Sequence, residues 1–250
     1  MDQIVLSQKY NYLQEQVLKV LQSARAGSGV LLQGGRNEVR LVRFRESEQQ
    51  MVVKLFRKPS IAKRLWYSVK PSKAERSFKY ALQLLEAGIQ TPYPVAFTLE
   101  KGAVLGDSSY ISEYVEPDFT FRELIHDLDI LDRDDLLRAF TAFTFKMHEN
   151  KVLFKDHSPG NTLIKRQAGT YEFYLVDLNR MEFKELSMEE RLKNFQRLWL
   201  SKHMQKVMAQ EYSRLYGSDP QITYKLLSQY IRDFQRRKIS KKRFKKSLGL

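Results

Sequence analysis

The sequence predicts an α+β protein with two lobes, in which strands dominate the first half of the chain and helices dominate the second half. Between residues 29 and 56, apolar runs are interrupted at Gly34-Gly35 and at the polar segment ESEQQ, which is typical of three strands joined by two tight turns. From Met188 to the C-terminus, the pattern is that of helices. No internal repeat and no linker rich in proline or glycine divides the chain further.

Two helices are predicted in the first half. The first 25 residues carry apolar side chains at helical spacing, namely Tyr10, Leu13, Val17 and Leu21. A second helix is expected from Ser72 to Ala87, because its apolar residues form one stripe and Gly88 follows as a stop signal. Beyond it, the segment AVLGDSSYISEYV predicts two short strands around a Gly-Asp-Ser turn.

The second half begins with a helical pattern from Arg133 to Glu149. A short apolar run, VLF, follows this helix and leads into the loop KDHSPGN. The segments TLIK and YEFYLVD then predict a hairpin, with a Gly-Thr turn between its two strands.

The composition is that of a folded cytoplasmic protein. Hydrophobic residues make up 42% and charged residues 29% of the 250 residues, which argues against disorder over most of the chain. The absence of cysteine excludes disulfides and thiol chemistry and suits a reducing compartment. The N-terminus does not resemble a signal peptide, and no window approaches 18 apolar residues, so we expect no membrane-spanning segment.

The formal net charge of +14 predicts an anionic partner, which could be phosphate, nucleic acid or an acidic membrane surface. Part of this charge is concentrated at the C-terminus, where Arg236 to Lys246 read RRKISKKRFKK, with eight basic residues and no acid. A second basic stretch, from Lys54 to Arg76, also contains aromatic residues.

Three oxygen-bearing side chains flank the predicted hairpin: Asp156, Asn161 and Asp177. A two-stranded hairpin returns the chain to near its start, so Asp177 can come back beside Asn161. Such residues can be ordinary turn residues. Their order is also that of a protein-kinase-like active site, where a loop aspartate accepts the proton of the attacking hydroxyl while an asparagine and a second aspartate bind Mg²⁺.

Candidate nucleotide-binding residues precede this loop. Lys54 lies in the third predicted strand, at the place where the lysine of a kinase holds the α- and β-phosphates, although most strand lysines simply face solvent. Gly34, Gly35 and Arg36 lie in the turn between the first two strands, where backbone amides can cradle phosphate and Arg36 adds positive charge. A glycine pair is more often only a hairpin turn.

Further nucleotide-binding candidates are Glu113, Val115 and Glu75. Glu113 and Val115 belong to a segment that fits the strand that joins the lobes and meets adenine through backbone groups. Glu75 lies in the helix that carries the glutamate partner of the kinase lysine, but Ser77 occupies the position that aligns with that glutamate. Residues two apart on a helix differ by roughly 200° in direction, so the two side chains cannot both face the site.

The sequence resembles the lipopolysaccharide kinase family. Members of this family phosphorylate inner-core sugars of bacterial lipopolysaccharide, and the family belongs to the protein-kinase-like superfamily. The resemblance runs from about Gly29 to Trp199. It rests on the motifs GGRN at 34–37, VVK at 52–54, SKAERSF at 72–78, GIQTP at 88–92, MHENKVLFKDHSPGNTLI at 147–164 and VDLNRM at 176–181. The last two stand where protein kinases have His-Arg-Asp and Asp-Phe-Gly, and the glycine-rich loop lacks the full Gly-x-Gly-x-x-Gly.

This resemblance implies a two-lobed protein-kinase-like fold, with a small antiparallel sheet in the N-lobe and a mainly helical C-lobe. Residues 1–115 would form an N-terminal helix and the nucleotide-binding lobe, 116–235 the lobe with the catalytic loop and metal site, and 236–250 a basic tail. It also implies that Asp156 is the catalytic base, that Asn161 and Asp177 bind metal, and that Lys54 holds phosphate.

The activity implied by the resemblance is ATP- and Mg²⁺-dependent phosphorylation of 3-deoxy-D-manno-octulosonic acid or a heptose on lipid A. The expected partners are this lipid A-core acceptor and an anionic membrane surface rather than nucleic acid, with the protein in the cytoplasm and peripheral on the inner membrane. Two alternatives remain: an atypical RIO-like protein kinase, and a kinase-like scaffold without activity that binds nucleic acid or membrane. A scaffold has no need of the full catalytic set. The sequence does not identify the sugar or the oligomeric state.

Overall fold

The computed structural model describes residues 3–35, 37–44, 49–57, 71–100, 106–167 and 169–247. The chain divides into two compact units, one formed by Met1–Glu116 with Asp177–Asn179, and the other by Pro117–Val176 with Arg180–Leu250. The first unit contains a six-stranded sheet, and helices predominate in the second. This mixture of a small antiparallel sheet and helices confirms the α+β class.

The sheet of the first unit is antiparallel throughout, with strand order β1-β5-β6-β4-β3-β2. Its strands are β1 (Gln3–Leu6), β2 (Val30–Gln33), β3 (Asn37–Arg43), β4 (Gln50–Phe56), β5 (Pro94–Leu99) and β6 (Ser108–Glu113). The strands β2, β3 and β4 confirm the three strands predicted from the apolar runs. Because β4 is an interior strand, Lys54 lies opposite Val39 on one side and Tyr110 on the other.

The start of the chain differs from the sequence prediction. The expected helix over the first 25 residues is wrong for its first part, because Gln3–Leu6 form a strand and helix α1 covers only Gln14–Arg25. The β-branched residues Ile4 and Val5 pair with β5, so sheet pairing outweighs helical spacing at this point. The first of the two short strands expected around the Gly-Asp-Ser turn lies outside the described residues, and β6 pairs instead with β5.

Two helices support this sheet. Helix α1 buries Val17, Val20, Leu21 and Ala24 in a core that includes Met51, Val53 and Ile111 of the sheet. Helix α2 (Lys73–Glu86) begins after Ser72, whose side chain accepts a hydrogen bond from the Glu75 N–H at 3.0 Å. The packing of α1 against Met51 and Val53 helps to position β4, the strand that carries Lys54.

The second unit contains five described helices and five short strands. The helices are α3 (Phe121–His126), α4 (Arg133–Glu149), α5 (Met188–Asn194), α6 (Lys202–Tyr216) and α7 (Pro220–Ser247). The strands are β7 (Phe119–Thr120), β8 (Val152–Phe154), β9 (Thr162–Gln167), β10 (Thr170–Leu175) and β11 (Met181–Phe183). The predicted hairpin is confirmed as β9 and β10, and the helices predicted after Met188 are confirmed as α5 to α7. The sequence did not predict β7 or α3.

The pairing of β8 with β11 positions the loop after β8. Strand β8 pairs with β11 in antiparallel register, with Phe154 opposite Met181. The residues that follow β8 therefore start at the same end of this pair as the residues that precede β11. The backbone N–H of Lys155 accordingly donates to the carbonyl of Arg180 at 3.0 Å.

Candidate active site

Lys54 and Asp177 form an ion pair within the first unit. The Nζ atom of Lys54 lies 2.6 Å from Oδ1 of Asp177, and the two side chains are only 13% and 35% exposed. The loop residues Asp177 to Asn179 belong to this unit although they follow β10 in the chain. The two residues that the sequence assigned to phosphate and to metal are therefore in direct contact.

The backbone of Asp177 is left-handed, with φ at 60°. Aspartate is one of the few residues that adopts this conformation readily, because its short polar side chain can hydrogen-bond locally. Here Nδ2 of Asn179 donates to Oδ1 of Asp177 at 2.6 Å. The amide of Asn179 therefore helps to fix the direction of the carboxylate that pairs with Lys54.

Asp156 lies in the loop between β8 and a 3₁₀ helix formed by Pro159–Asn161. Two guanidinium groups face its carboxylate: Nη1 of Arg180 donates to Oδ2 at 3.4 Å, and Nη1 of Arg197 donates to Oδ1 at 3.2 Å. Both distances are long for charged hydrogen bonds. The carboxylate is thus oriented but not tightly held, and its side chain is 25% exposed.

Asn161 closes the same loop. Its Nδ2 donates to the carbonyl oxygen of Asp156 at 2.8 Å, and its backbone N–H donates to the carbonyl of Ser158 at 2.9 Å. The N–H of Val176, the residue before Asp177 in the chain, donates to the carbonyl of Asn161 at 3.0 Å. Because the amide nitrogen of Asn161 acts as a donor here, its Oδ1 is the side-chain atom that can bind a cation.

A network of buried hydrogen bonds lies next to the loop that carries Asp156. Nδ2 of Asn194 donates to the carbonyl of Phe154 at 2.8 Å, and both His148 Nε2 and His157 Nδ1 lie 3.2 Å from Oδ1 of Asn194. Nδ1 of His148 lies 2.8 Å from the hydroxyl of Tyr212. Since an amide oxygen only accepts, both histidines donate to Asn194, and His148 accepts from Tyr212.

Burial determines the protonation of these two histidines. It lowers the pKa of His148 to about 3 and that of His157 to about 4, while the hydrogen bond to Asn194 acts in the opposite direction. Both imidazoles are therefore neutral near pH 7. Through Asn194, both imidazoles are connected to the carbonyl of Phe154, two residues before Asp156.

The other nucleotide-binding candidates lie in the first unit. Gly34 and Gly35 form the turn between β2 and β3, and Gly35 has φ at 105°, a conformation that favours glycine. Arg36 lies outside the described residues. Glu113 ends β6, and its carboxylate accepts from Lys9 Nζ at 2.5 Å and from the Tyr10 hydroxyl at 2.7 Å. Val115 follows two residues later, and the backbone N–H of Glu113 donates to the carbonyl of Tyr93 at 2.9 Å.

Glu75 and Ser77 both have partners on their own helix. Glu75 forms an ion pair with Lys79 at 2.8 Å, one helical turn away. Ser77 is buried, and its hydroxyl donates to the carbonyl of Lys73 at 2.9 Å. The carboxylate at Lys54 therefore comes from Asp177 and not from α2.

A cavity of about 690 Å³, which no sequence motif predicts, lies in the second unit next to the Asp156 loop. Its lining residues are Arg122, Ile125, His126, Ser158, Pro159, Arg197, Trp199, Phe234 and Lys238. They come from α3, the Asp156 loop, the segment before α6, and α7. No local motif joins these residues, so only the fold brings them together.

The residues proposed for a metal supply hard oxygen donors, namely the amide oxygen of Asn161 and the carboxylate of Asp177. Such donors fit Mg²⁺, which commonly takes one or two protein oxygens and completes its shell with water and phosphate. Among the described residues, no group of three or more histidine, aspartate or glutamate side chains could hold a metal ion without such help. No described helix is long and apolar enough to cross a membrane.

A strand lysine paired with an aspartate that follows a hairpin, and an aspartate and an asparagine in one loop, are features that protein-kinase-like phosphotransferases have. The solved structure of WaaP in complex with acyl carrier protein matches the chain with a TM-score of 0.65 and 15% sequence identity, and the match covers 94% of this chain and 98% of that one. This likeness confirms the protein-kinase-like fold.

The model of the lipopolysaccharide kinase (Kdo/WaaP) family matches residues 32–218. The chain therefore belongs to this family, which confirms the resemblance and makes the protein a kinase of the lipopolysaccharide core that acts on a sugar hydroxyl. The Rio2 kinase of Chaetomium thermophilum, solved as a complex with ADP, Mg²⁺ and phosphoaspartate, is similar with a TM-score of 0.49 and 15% sequence identity. The match covers 93% of this chain and 81% of that one, and its TM-score is too low to support a conclusion. A comparison with curated proteins finds no match.

Proposed function

We propose that the protein transfers the γ-phosphoryl group of ATP, in the presence of Mg²⁺, to a hydroxyl of 3-deoxy-D-manno-octulosonic acid or a heptose on lipid A. The observation that supports this most is the ion pair between Lys54 and Asp177. In the kinase mechanism these two residues serve the same phosphates, one directly and one through metal, so they must lie close together. Family membership supports the class of acceptor.

Each residue then has a defined role. Asp156 accepts the proton of the acceptor hydroxyl as that oxygen forms its bond to the γ-phosphorus and the bond to ADP breaks. Arg180 and Arg197 orient the Asp156 carboxylate. Lys54 neutralises phosphate charge, and the Gly34-Gly35 turn, Arg36 and the backbone at Glu113 and Val115 bind the rest of the nucleotide. Asn161 and Asp177 would hold Mg²⁺, which neutralises charge on the phosphates.

We also propose that the basic end of α7 binds an anionic membrane surface. From Arg236 onward, every described residue of this helix is exposed, and Arg236 to Lys246 carry eight basic residues. These residues point in all directions around the helix, and the exposed Ile239 and Phe244 lie on different sides of it, so no apolar face exists for deep insertion. Binding would thus be electrostatic, which places the protein at the face of the inner membrane where a lipid-linked acceptor is anchored.

A protein partner is a separate question. The WaaP structure is a complex with acyl carrier protein. An acyl carrier protein is therefore the first protein to test with this chain, by size-exclusion chromatography of the mixture.

The two alternatives have less support. A RIO-like protein kinase and a scaffold that binds nucleic acid both explain the positive charge, but neither explains the match to lipopolysaccharide kinases. An enzyme assay separates them from the proposed function. Purified protein is incubated with Mg-ATP and lipid A-core from cells that lack the protein, and the product is analysed by mass spectrometry. We expect the gain of one phosphate with the natural chain and none with Asp156→Asn; no gain with the natural chain would reject the proposal.

A further inference from the structure

The cavity of about 690 Å³ beside the Asp156 loop has an unusual charge pattern. Arg122, Arg197 and Lys238 line it, and no aspartate or glutamate is among its described lining residues. Its volume falls in the range of small-molecule sites, roughly 300 to 1,000 Å³. A concave site with three cations and no acid fits an anionic small molecule, because carboxylate and phosphate groups bind to arginine and lysine by charge-assisted hydrogen bonds.

The cavity adjoins the reacting group. Arg197 lines it and also donates to the Asp156 carboxylate at 3.2 Å. Ser158 and Pro159, two and three residues after Asp156, form another part of the wall. A molecule in this cavity is therefore bound next to the carboxylate that we propose as the base.

Aromatic and apolar side chains form the remainder of the wall. The guanidinium of Arg197 and the ammonium of Lys238 both lie over the ring of Phe234, at 5.6 and 5.5 Å from its centroid. Trp199 is 48% exposed and has φ at 56°, a conformation that is rare for a bulky residue. Flat aromatic faces beside cations suit a ligand that has both an apolar ring face and a charged group.

Gly160 allows Arg122 to approach the loop. A Cβ atom at residue 160 would lie only 2.9 Å from Nη2 of Arg122. The backbone of Gly160 is not left-handed, so the effect of a Cβ atom here would come from the approach of the flexible guanidinium and not from φ. The Asp156 loop and Arg122 are therefore packed closely enough that one methyl group would move the guanidinium.

We propose that this cavity binds the acceptor sugar by an acidic substituent, a carboxylate or a phosphate, which Arg122 and Lys238 hold so that a hydroxyl of the same molecule faces Asp156. This inference rests on the proposed function and goes further, because it assigns the acceptor site and its ligand chemistry to particular residues. Arg122 and Lys238 are then residues that determine specificity for an acidic sugar. A comparison of acceptors with and without each group distinguishes a carboxylate from a phosphate as the source of the negative charge.

The test measures acceptor kinetics for Arg122→Gln and Lys238→Gln. The matched controls are Arg138→Gln and Lys225→Gln, which remove exposed charges on α4 and α7 outside the cavity. Two acceptor pairs are compared: a soluble 3-deoxy-D-manno-octulosonic acid glycoside with its carboxamide, and a phosphorylated heptose acceptor with its dephosphorylated form. Loss of one charged hydrogen bond predicts a rise in KM of about 10- to 100-fold for the acidic member of the pair that the protein uses. The KM for ATP should stay unchanged.

Two further measurements keep the result interpretable. Gly160→Ala should raise the same KM in the same direction, because it displaces the guanidinium of Arg122 without removing its charge. Calorimetry with the free sugar acid, without nucleotide, tests binding in the cavity even if no transfer is detected, so failure of the activity and failure of the cavity are distinguished. Equal effects on the acidic and neutral acceptors, or unchanged affinity in both cavity variants, would overturn the proposal.

Discussion

The replacement Asp156→Asn tests the role of the proposed base with the least disturbance of the structure. Asparagine has the shape of aspartate, and its remaining oxygen can still accept from one guanidinium. The hydrogen bonds that Asp156 accepts from Arg180 and Arg197 are long, at 3.4 and 3.2 Å, and its side chain is 25% exposed. We therefore expect the free energy of unfolding to change by less than about 1 kcal/mol.

The effect on catalysis should be much larger. General-base catalysis contributes about 10²- to 10⁴-fold to a rate, which corresponds to about 2.7 to 5.5 kcal/mol of transition-state stabilisation. Because a base acts only in the transition state, kcat should fall by this factor while the affinity for Mg-ATP stays the same. A large loss of rate together with a small loss of stability is the result expected for a catalytic base.

The assay combines steady-state phosphoryl transfer, calorimetry of Mg-ATP binding and thermal unfolding. Asp129→Asn is the matched control, since Asp129 is an exposed aspartate of the same unit outside the loop. A kcat for Asp156→Asn within a factor of three or so of the natural value would refute the assignment of the base. A large loss of stability would instead show that the guanidinium contacts hold the loop.

The remaining predictions concern metal, membrane and pH. Asp177→Ala should abolish Mg²⁺-dependent ATP binding measured by calorimetry, because this carboxylate is proposed to bridge metal and phosphates; natural affinity in the variant would reject that role. Truncation after Gln235 should remove co-sedimentation with anionic vesicles and leave the result with neutral vesicles unchanged. Eight basic residues near an anionic surface contribute several kcal/mol in total, even if each contributes only about 0.5 kcal/mol. Equal sedimentation of the full-length and the truncated protein, or competition by RNA for the tail, would contradict the membrane proposal. Vesicle binding is the readout because the truncation also removes Lys238. Stability should fall from pH 7 to pH 5, because the pKa of His148 and of His157 is lowered in the folded state and the unfolded chain takes up protons below pH 6.5 or so. Protonation of each histidine in the unfolded chain can lower the free energy of unfolding by up to about 2 kcal/mol at pH 5. The slope of stability against pH should be shallower in His148→Gln, and an unchanged slope would argue against a neutral buried imidazole.

The sequence predicted those parts of the fold whose signal is local. The strands β2 to β4 follow apolar runs broken by turn residues, and the β9–β10 hairpin follows the same rule. The strand β1 was missed because its pairing with β5 joins residues almost 100 positions apart, which helical spacing in the first 25 residues does not report. Strand β5 itself was missed because Pro92 and Pro94 suggested a stop, although a proline is tolerated at the first residue of a strand.

The same distinction holds for the candidate site. Asp156, Asn161 and Asp177 lie in two motifs on either side of one hairpin, so their order along the chain suggested a kinase. The cavity residues Arg122 and Lys238 come from helices more than 100 residues apart, and nothing in either segment marks them. Packing of α3 and α7 around the Asp156 loop brings them together, and periodicity within one segment cannot report it.

The sequence left open which carboxylate pairs with Lys54, and the structure identifies it as Asp177. The sequence offered Glu75 or the position of Ser77 on α2, and the structure gives each of these a partner on its own helix. A lysine that is only 13% exposed loses much of its hydration, so it requires an anion nearby, and Asp177 supplies one at 2.6 Å. In the proposed function, the phosphates of ATP would take the place of Asp177 as the anion at Lys54, and the Asp177 carboxylate would then be free to hold Mg²⁺. The ion pair would thus belong to the form of the site without nucleotide, in which the two groups neutralise each other.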